Sequence, residues 1–328
     1  MLNSLKKFTN IKNSKKKLFT PGPASLLAEN ISSIEPCFGR GDQQYIKLEN
    51  YVLGKLKKIT NHRNIARMQG AASFALEVMI NNFIYGNLLI IKTGTYSDRL
   101  LSMSIASSNN FKRIKKIDYV NHQEMNKISK KYDWIMGCPV ETSIGYKISI
   151  SKLNKLKKRC KSKLALDATA SIGLEKDHGY ADVLGYSSCK GLFGLTGAAF
   201  VAFNSNPNNE INQFNLNIHN HLEKKMTGPY HAICSLYDVL KNYNDFKYAV
   251  TINKKIFLKK MKDYLAYNID EQPNLCTYIK KKITKKSKNV ILYQSRANIS
   301  GSVVCHLGEA HLKRKAKGKI IDSIKISN

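Results

Sequence analysis

Acidic residues are scarce in this chain: 23 Asp and Glu stand against 54 Lys and Arg in 328 residues, a formal net charge of +31. The densest basic clusters, Lys15-Lys16-Lys17, Lys280-Lys281-Lys282 and Lys285-Lys286, have no aromatics interleaved on which bases could stack. The charge is therefore read as a general positive field that draws in small anions, and nucleic acid is not an expected partner. Long apolar runs are also missing. Leu88-Leu89-Ile90-Ile91 and the stretch 197–203 are far too short to cross a bilayer, so no membrane partner is expected. The seven cysteines are scattered without a CxxC pair, which argues against a zinc site and fits the reduced thiols of a cytoplasmic protein. The eight histidines contain no HExxH, and no metal site is expected. His219 and His221, two apart, are expected on the surface or in loops. Residues 1–17 carry lysines but no acid and no apolar signal-peptide core, and are read as a partly loose basic arm.

What is present is a globular composition, 43% hydrophobic, in a chain long enough for a large domain and a smaller one. Periodicity predicts helices over Tyr45–Thr60, Ser73–Phe83, Asp98–Ser107 and Ser151–Cys160, and a helical stretch over Tyr230–Tyr267. Strands are predicted at Asn87–Ile91, Trp134–Met136, Leu164–Asp167, Ala181–Tyr186 and Ala198–Phe203. Alternation of this kind implies an α/β fold, a mostly parallel sheet covered by helices on both faces. The expected division is a basic arm over 1–17, a large domain over 18–265 and an abbreviated small α/β domain over 266–328. Ligands of such sheets sit beyond the carboxyl ends of the strands.

Two residues at predicted strand ends name a chemistry. Asp167 follows Leu164-Ala165-Leu166, and Lys190 follows the run Val183–Cys189. An amine that can form a Schiff base, with an acid that keeps a pyridine nitrogen protonated, is what pyridoxal 5'-phosphate (PLP) requires. Other motifs flank the pair in order. Leu18-Phe19-Thr20-Pro21-Gly22-Pro23 is a rigid turn. Gln69-Gly70-Ala71-Ala72-Ser73 opens a predicted helix, a start at which free backbone N–H groups favour a phosphate. Thr93-Gly94-Thr95-Tyr96-Ser97-Asp98-Arg99 and Cys138-Pro139-Val140-Glu141-Thr142-Ser143 each follow a strand.

Together these motifs resemble the class V aminotransferases, PLP enzymes of fold type I, over about residues 18–245. The branch most like it transfers the amino group of 2-aminoethylphosphonate to pyruvate. The resemblance implies a homodimeric transaminase acting on a small amine, such as a phosphonate-bearing one, with pyruvate or a similar keto acid. Other donors, such as alanine or serine with glyoxylate, stay open, as does a degenerate fold kept as a basic binding protein. By the same resemblance Lys190 and Asp167 are catalytic. Gly70, Ala71, Ala72 and Ser73 hold the phosphate, Tyr96 stacks on the ring, and Thr142, or Ser143 if the register slips by one, bonds the ring oxygen. Thr227 is expected to be lent to the phosphate of a partner copy. The family's small-domain Arg before a Gly-Glu step is missing before Gly308-Glu309, where Ser302-Val303-Val304 stands. Arg40, Arg99 and Arg296 are the candidates to grip the substrate anion in its place.

Overall fold

The computed structural model describes residues 2–36, 41–312 and 321–327. At its centre are seven strands: β1 (Asn64–Gln69), β2 (Gly86–Lys92), β3 (Ile114–Asn121), β4 (Trp134–Gly137), β5 (Lys163–Asp167), β6 (Val183–Ser187) and β7 (Ala198–Phe203). Their order across the sheet is β1-β7-β6-β5-β4-β2-β3. All pairings are parallel except those of β7, which runs antiparallel to both β1 and β6. The expected mostly parallel sheet is therefore present.

Side-chain alternation explains how the sheet is covered. In β2, Leu88 and Ile90 face one buried cluster, while Leu89 and Ile91 face another. In β5, Ala165 faces the first of these and Leu164 and Leu166 the second. A strand with apolar residues on both faces must be covered on both, and helices do so. The helix Ala72–Phe83 packs over Val183, Ala199 and Val201, and Gln43–Thr60 and Tyr230–Lys241 pack on the other side. Asp42 caps the Gln43 helix through the N–H groups of Gln44 and Tyr45 at 2.9 and 3.2 Å.

Two strands of the central sheet escaped the sequence reading. β1 has Arg67 in its middle and reads as polar, yet it is half of a buried network. The Arg67 Nε donates to Glu49 at 2.7 Å, and Lys224 and Tyr45 reach the same carboxylate. Burial alone would raise the Glu49 carboxyl, but the two cations outweigh it and its pKa is lowered. β3 lies at the other sheet edge, and its lysines Lys115 and Lys116 are exposed, as edge strands tolerate. The stretch Tyr230–Tyr267 is two helices, Tyr230–Lys241 and Tyr243–Lys260, broken at Asn242. His219 is exposed as expected, whereas His221 is buried, its Nε2 at 2.8 Å from the Asn215 carbonyl.

The N-terminal arm corrects the expectation of a loose segment. Residues Leu2–Ser14 form a helix, and Asn13 fastens it by exchanging hydrogen bonds with the backbone of Leu26. The next residues, Lys17–Phe19, pair in parallel with Val290–Leu292. The stretch just after the arm thus belongs to a C-terminal strand rather than to the central sheet. The remaining C-terminal strands, Cys276–Ile279 with Ser302–Cys305 and Ile283–Lys285 with Ile324–Ile326, form small two-stranded sheets.

Within that C-terminal part, Glu309 is buried, and its Oε1 has no hydrogen-bond partner among the described residues. Desolvation pushes its carboxyl up to about 8. A raised folded value means that the neutral form is preferred in the fold. Its contribution is complete below about pH 4.5 and is lost as pH rises through about 8. The melting temperature is therefore expected to fall between pH 5 and 8.5 by thermal denaturation, and Glu309→Gln to flatten that slope. An unchanged slope in the variant would refute the assignment.

Candidate active site

The carboxyl ends of the strands meet where β7 begins. Gln69, the last residue of β1, pairs with Ala198, and Ser187, the last of β6, pairs with Ala199. The Gly70 N–H donates to Gly197 O at 3.0 Å, which seats the turn after β1 beside the one after β6. A cavity of about 220 Å³ opens above this edge. Its walls include Ala71, Ala72 and Ser73, Tyr96 and Arg99, Thr142, Asp167 and Thr169, Ser187 and Lys190, and Arg296. Segments far apart in the chain thus converge on one place.

Each wall has a local cause. The helix Ala72–Phe83 begins after Ala71, whose backbone is extended, and no side chain caps it. Its first N–H groups therefore lack helical partners, and Ala71, Ala72 and Ser73 line the cavity. Tyr96 and Arg99 lie three apart in the first turn of the helix Thr95–Phe111, on one face. Glu141 holds that helix start: its carboxylate accepts from the N–H of Tyr96 at 2.9 Å and of Ser97 at 3.4 Å. Burial raises the Glu141 carboxyl, against the pull of these donors. A Cβ on Gly94 would meet the Glu141 side chain at 2.9 Å, so this approach needs glycine.

Asp167 ends β5 and is 2% exposed. Its Oδ1 accepts from the Thr169 N–H at 3.0 Å, and its Oδ2 accepts from Arg99 at 3.2 Å. Lys190 is half-buried in the turn after β6, with Nζ 5.6 Å from the centre of the Tyr96 ring. The N-terminal turn reaches this lysine. Gly22, at φ +141°, leaves only enough room that a Cβ would meet Lys190 Cγ at 2.9 Å, and Ala24 N–H donates to Cys189 O at 3.0 Å. The hydroxyls of Thr142 and Thr169 are buried in the cavity wall without a partner among the described residues. Such orphaned donors fit a polar ligand. Cys138 also lines the cavity, but its buried thiol donates to Val140 O at 3.2 Å, and burial pushes its pKa up.

The structure brings together Lys190, Asp167, Tyr96, Thr142, Ala71, Ala72, Ser73, Arg99 and Arg296, with Gly70 at the adjoining turn. Three of the predicted residues are not among them. The Ser143 hydroxyl donates to Glu141 at 2.5 Å, so the strand-end register favours Thr142 as the cavity hydroxyl. Thr227 is exposed and borders a separate cleft of about 270 Å³ with Arg67, Phe74 and His221. Next to it, a Cβ on Gly228 would meet the Arg67 guanidinium at 2.7 Å, which fixes this turn against the sheet edge. Arg40 lies outside the described residues. Sequence reasoning missed Glu141, Thr169 and Ser187 as site residues. The available signal was position: Glu141 is one before Thr142, Thr169 two after Asp167 and Ser187 three before Lys190.

Among the described residues no group of His, Cys, Asp and Glu could hold a metal ion, and no helix is long and apolar enough to cross a membrane. No protein-family model matches the chain. The bifunctional phosphonoacetaldehyde hydrolase/aminoethylphosphonate transaminase of Clostridioides difficile is 27% identical over 202 residues, 57% of this chain and 32% of that protein. The chain thus spans about a third of the length of that relative. Among solved structures, an alanine–glyoxylate aminotransferase from Nostoc sp. superposes with a TM-score of 0.76 at 15% identity, covering 90% of this chain and 91% of that one. Pyridoxamine–pyruvate aminotransferase from Mesorhizobium loti gives 0.71 at 16% identity, covering 90% and 87%. The architecture is that of the fold-type-I aminotransferases.

Proposed function

We propose that this chain is a PLP-dependent aminotransferase. One observation carries the reading: an amine, a buried carboxylate and an orphaned buried hydroxyl, on three separate segments, face a single cavity. The residues present fit the cofactor. The N–H groups at Ala71–Ser73 suit its phosphate, Thr142 the ring hydroxyl, the Tyr96 ring its flat face and Asp167 the ring nitrogen. Bound there, PLP supplies an aldehyde that captures amines and a ring that withdraws electrons from the donor carbon. Lys190 Nζ would hold the cofactor until the donor amine displaces it, and the freed amine would then take the proton from the amine-bearing carbon of the donor. Asp167 holds the positive end of the ring, and Glu141 keeps the helix that carries Tyr96 in place. Thr227, which borders a separate cleft, would serve the phosphate of a second copy in a homodimer.

The donor is a small anionic amine, with 2-aminoethylphosphonate the first choice and pyruvate the acceptor. The partial relative from C. difficile and the net charge of +31 support this. So does Arg296, which lines the cavity and forms no ion pair among the described residues. A guanidinium grips a phosphonate or carboxylate through two parallel bonds. A panel of amine donors with pyruvate tests the choice. The 2-aminoethylphosphonate reaction is expected to be fastest, and Arg296→Ala to raise its KM about tenfold or more with little change in kcat. A faster reaction with alanine or serine would transfer the assignment to those donors. A KM untouched in the variant would remove Arg296 from the anion site.

A further inference from the structure

The carboxylate of Asp167 is shared. Arg99 holds its Oδ2 at 3.2 Å, while the Thr169 N–H occupies Oδ1 at 3.0 Å. Arg99 lies with its guanidinium carbon 5.0 Å from the centre of the Tyr96 ring, and its Nε is buried without a partner among the described residues. Tyr96, Arg99 and Asp167 thus form one charged stack along the cavity wall.

We infer that Arg99 is a positioning residue that acts through Asp167 to keep the proton of that pair on the cofactor's ring nitrogen. This inference rests on the proposed function. A proton shared between the carboxylate and a ring nitrogen has two places to sit. On Asp167 it leaves a neutral acid beside a neutral ring. On the nitrogen it leaves a carboxylate beside a positive ring. A guanidinium in contact with the carboxylate repels a proton placed on Asp167 more strongly than one moved out to its partner, because the Coulomb term falls with distance. It also stabilises the charged carboxylate at 2% exposure, where an unpaired charge is costly. Both effects favour the charged pair. Without Arg99 the proton moves to the carboxylate, and the ring becomes a weaker electron sink. Two further cations line the same cavity, Arg296 and Lys190, the latter with Nζ 5.6 Å from the centre of the Tyr96 ring, and neither forms an ion pair with Asp167 among the described residues.

The test is the 15N resonance of ring-labelled PLP bound to the full chain. Wild type is expected to show a pyridinium shift. Arg99→Gln is expected to move it toward neutral pyridine while the protein still binds PLP at Lys190. Arg99→Met, neutral and of similar length, is the second variant should the glutamine form not fold. Arg99→Lys, which keeps the charge, is expected to restore most of the pyridinium signal. A purely structural role for Arg99 would loosen cofactor binding and leave the resonance in place. A pyridinium shift that persists in both neutral variants overturns the inference and leaves the aminotransferase reading standing. A wild-type protein that binds no PLP overturns both, and the two failures are distinct.

Discussion

Lys190→Ala is expected to give a colourless protein with transamination lowered by at least about 10⁴-fold. Wild-type protein purified with PLP should absorb near the visible-violet edge, and that band should vanish in the variant. Among the described residues lining the cavity, Lys190 supplies the sole primary amine. Cys138 cannot replace it, because its thiol is buried and donates to Val140 O at 3.2 Å. Lys190→Arg is the sharper control, since it keeps the positive charge but has no amine able to condense with an aldehyde. Loss in both variants identifies the chemistry of the amine, and not its charge, as the requirement. Retained colour and turnover in either one would sink the assignment. Gly22 makes a complementary case. A side chain there would press on the Lys190 stem and require a positive φ, so Gly22→Ala should slow turnover while Lys190 is intact.

Asp167→Ala is the second large effect, expected at about 10³-fold in turnover. Here the loss should be recoverable. A PLP analogue methylated on its ring nitrogen carries a permanent positive charge and no longer needs a carboxylate to hold a proton. It should restore part of the activity of Asp167→Ala and bring little gain to wild type. If the analogue rescues nothing, Asp167 holds the wall together through Arg99 and Thr169 and does not serve the ring. Thermal denaturation separates the two contributions. Removing Asp167 leaves Arg99 without its partner, and breaking a buried pair destabilises by about 3–5 kcal/mol. The exposure of Arg99, 33%, places the expected cost at the lower end of that range.

Much of this site was legible in order along the chain. Asp167 and Lys190 sit at strand ends because apolar runs precede them, and a parallel sheet carries such ends to one edge. Tyr96 was readable because it directly follows a strand, and Ala71–Ser73 because small residues open a predicted helix. Strand β1 was not legible, because Arg67 breaks its apolar pattern and only the Glu49 partner on a distant helix makes a buried arginine affordable. Glu141 was hidden by its neighbour. Thr142 attracted the functional reading, yet the carboxylate beside it orders the helix that bears Tyr96. Arg99 was readable as a free cation for substrate, whereas its pairing with Asp167 depends on the start of a helix and a strand end meeting in space. The choice between Thr142 and Ser143 turned on one residue of register, which alternation in a short strand cannot fix without its partners. The helix over Leu2–Ser14 was obscured because its composition is polar and its stability comes from contacts such as Asn13 with Leu26.

The stretch from Lys17 to Ala24 is bonded at one end to the strand Val290–Leu292 and at the other to the carbonyl beside Lys190. It acts as a short lever laid across the protein. One short segment thus joins the C-terminal strand Val290–Leu292 to the turn that carries Lys190, so the backbone on either side of that amine is tied to both parts of the chain.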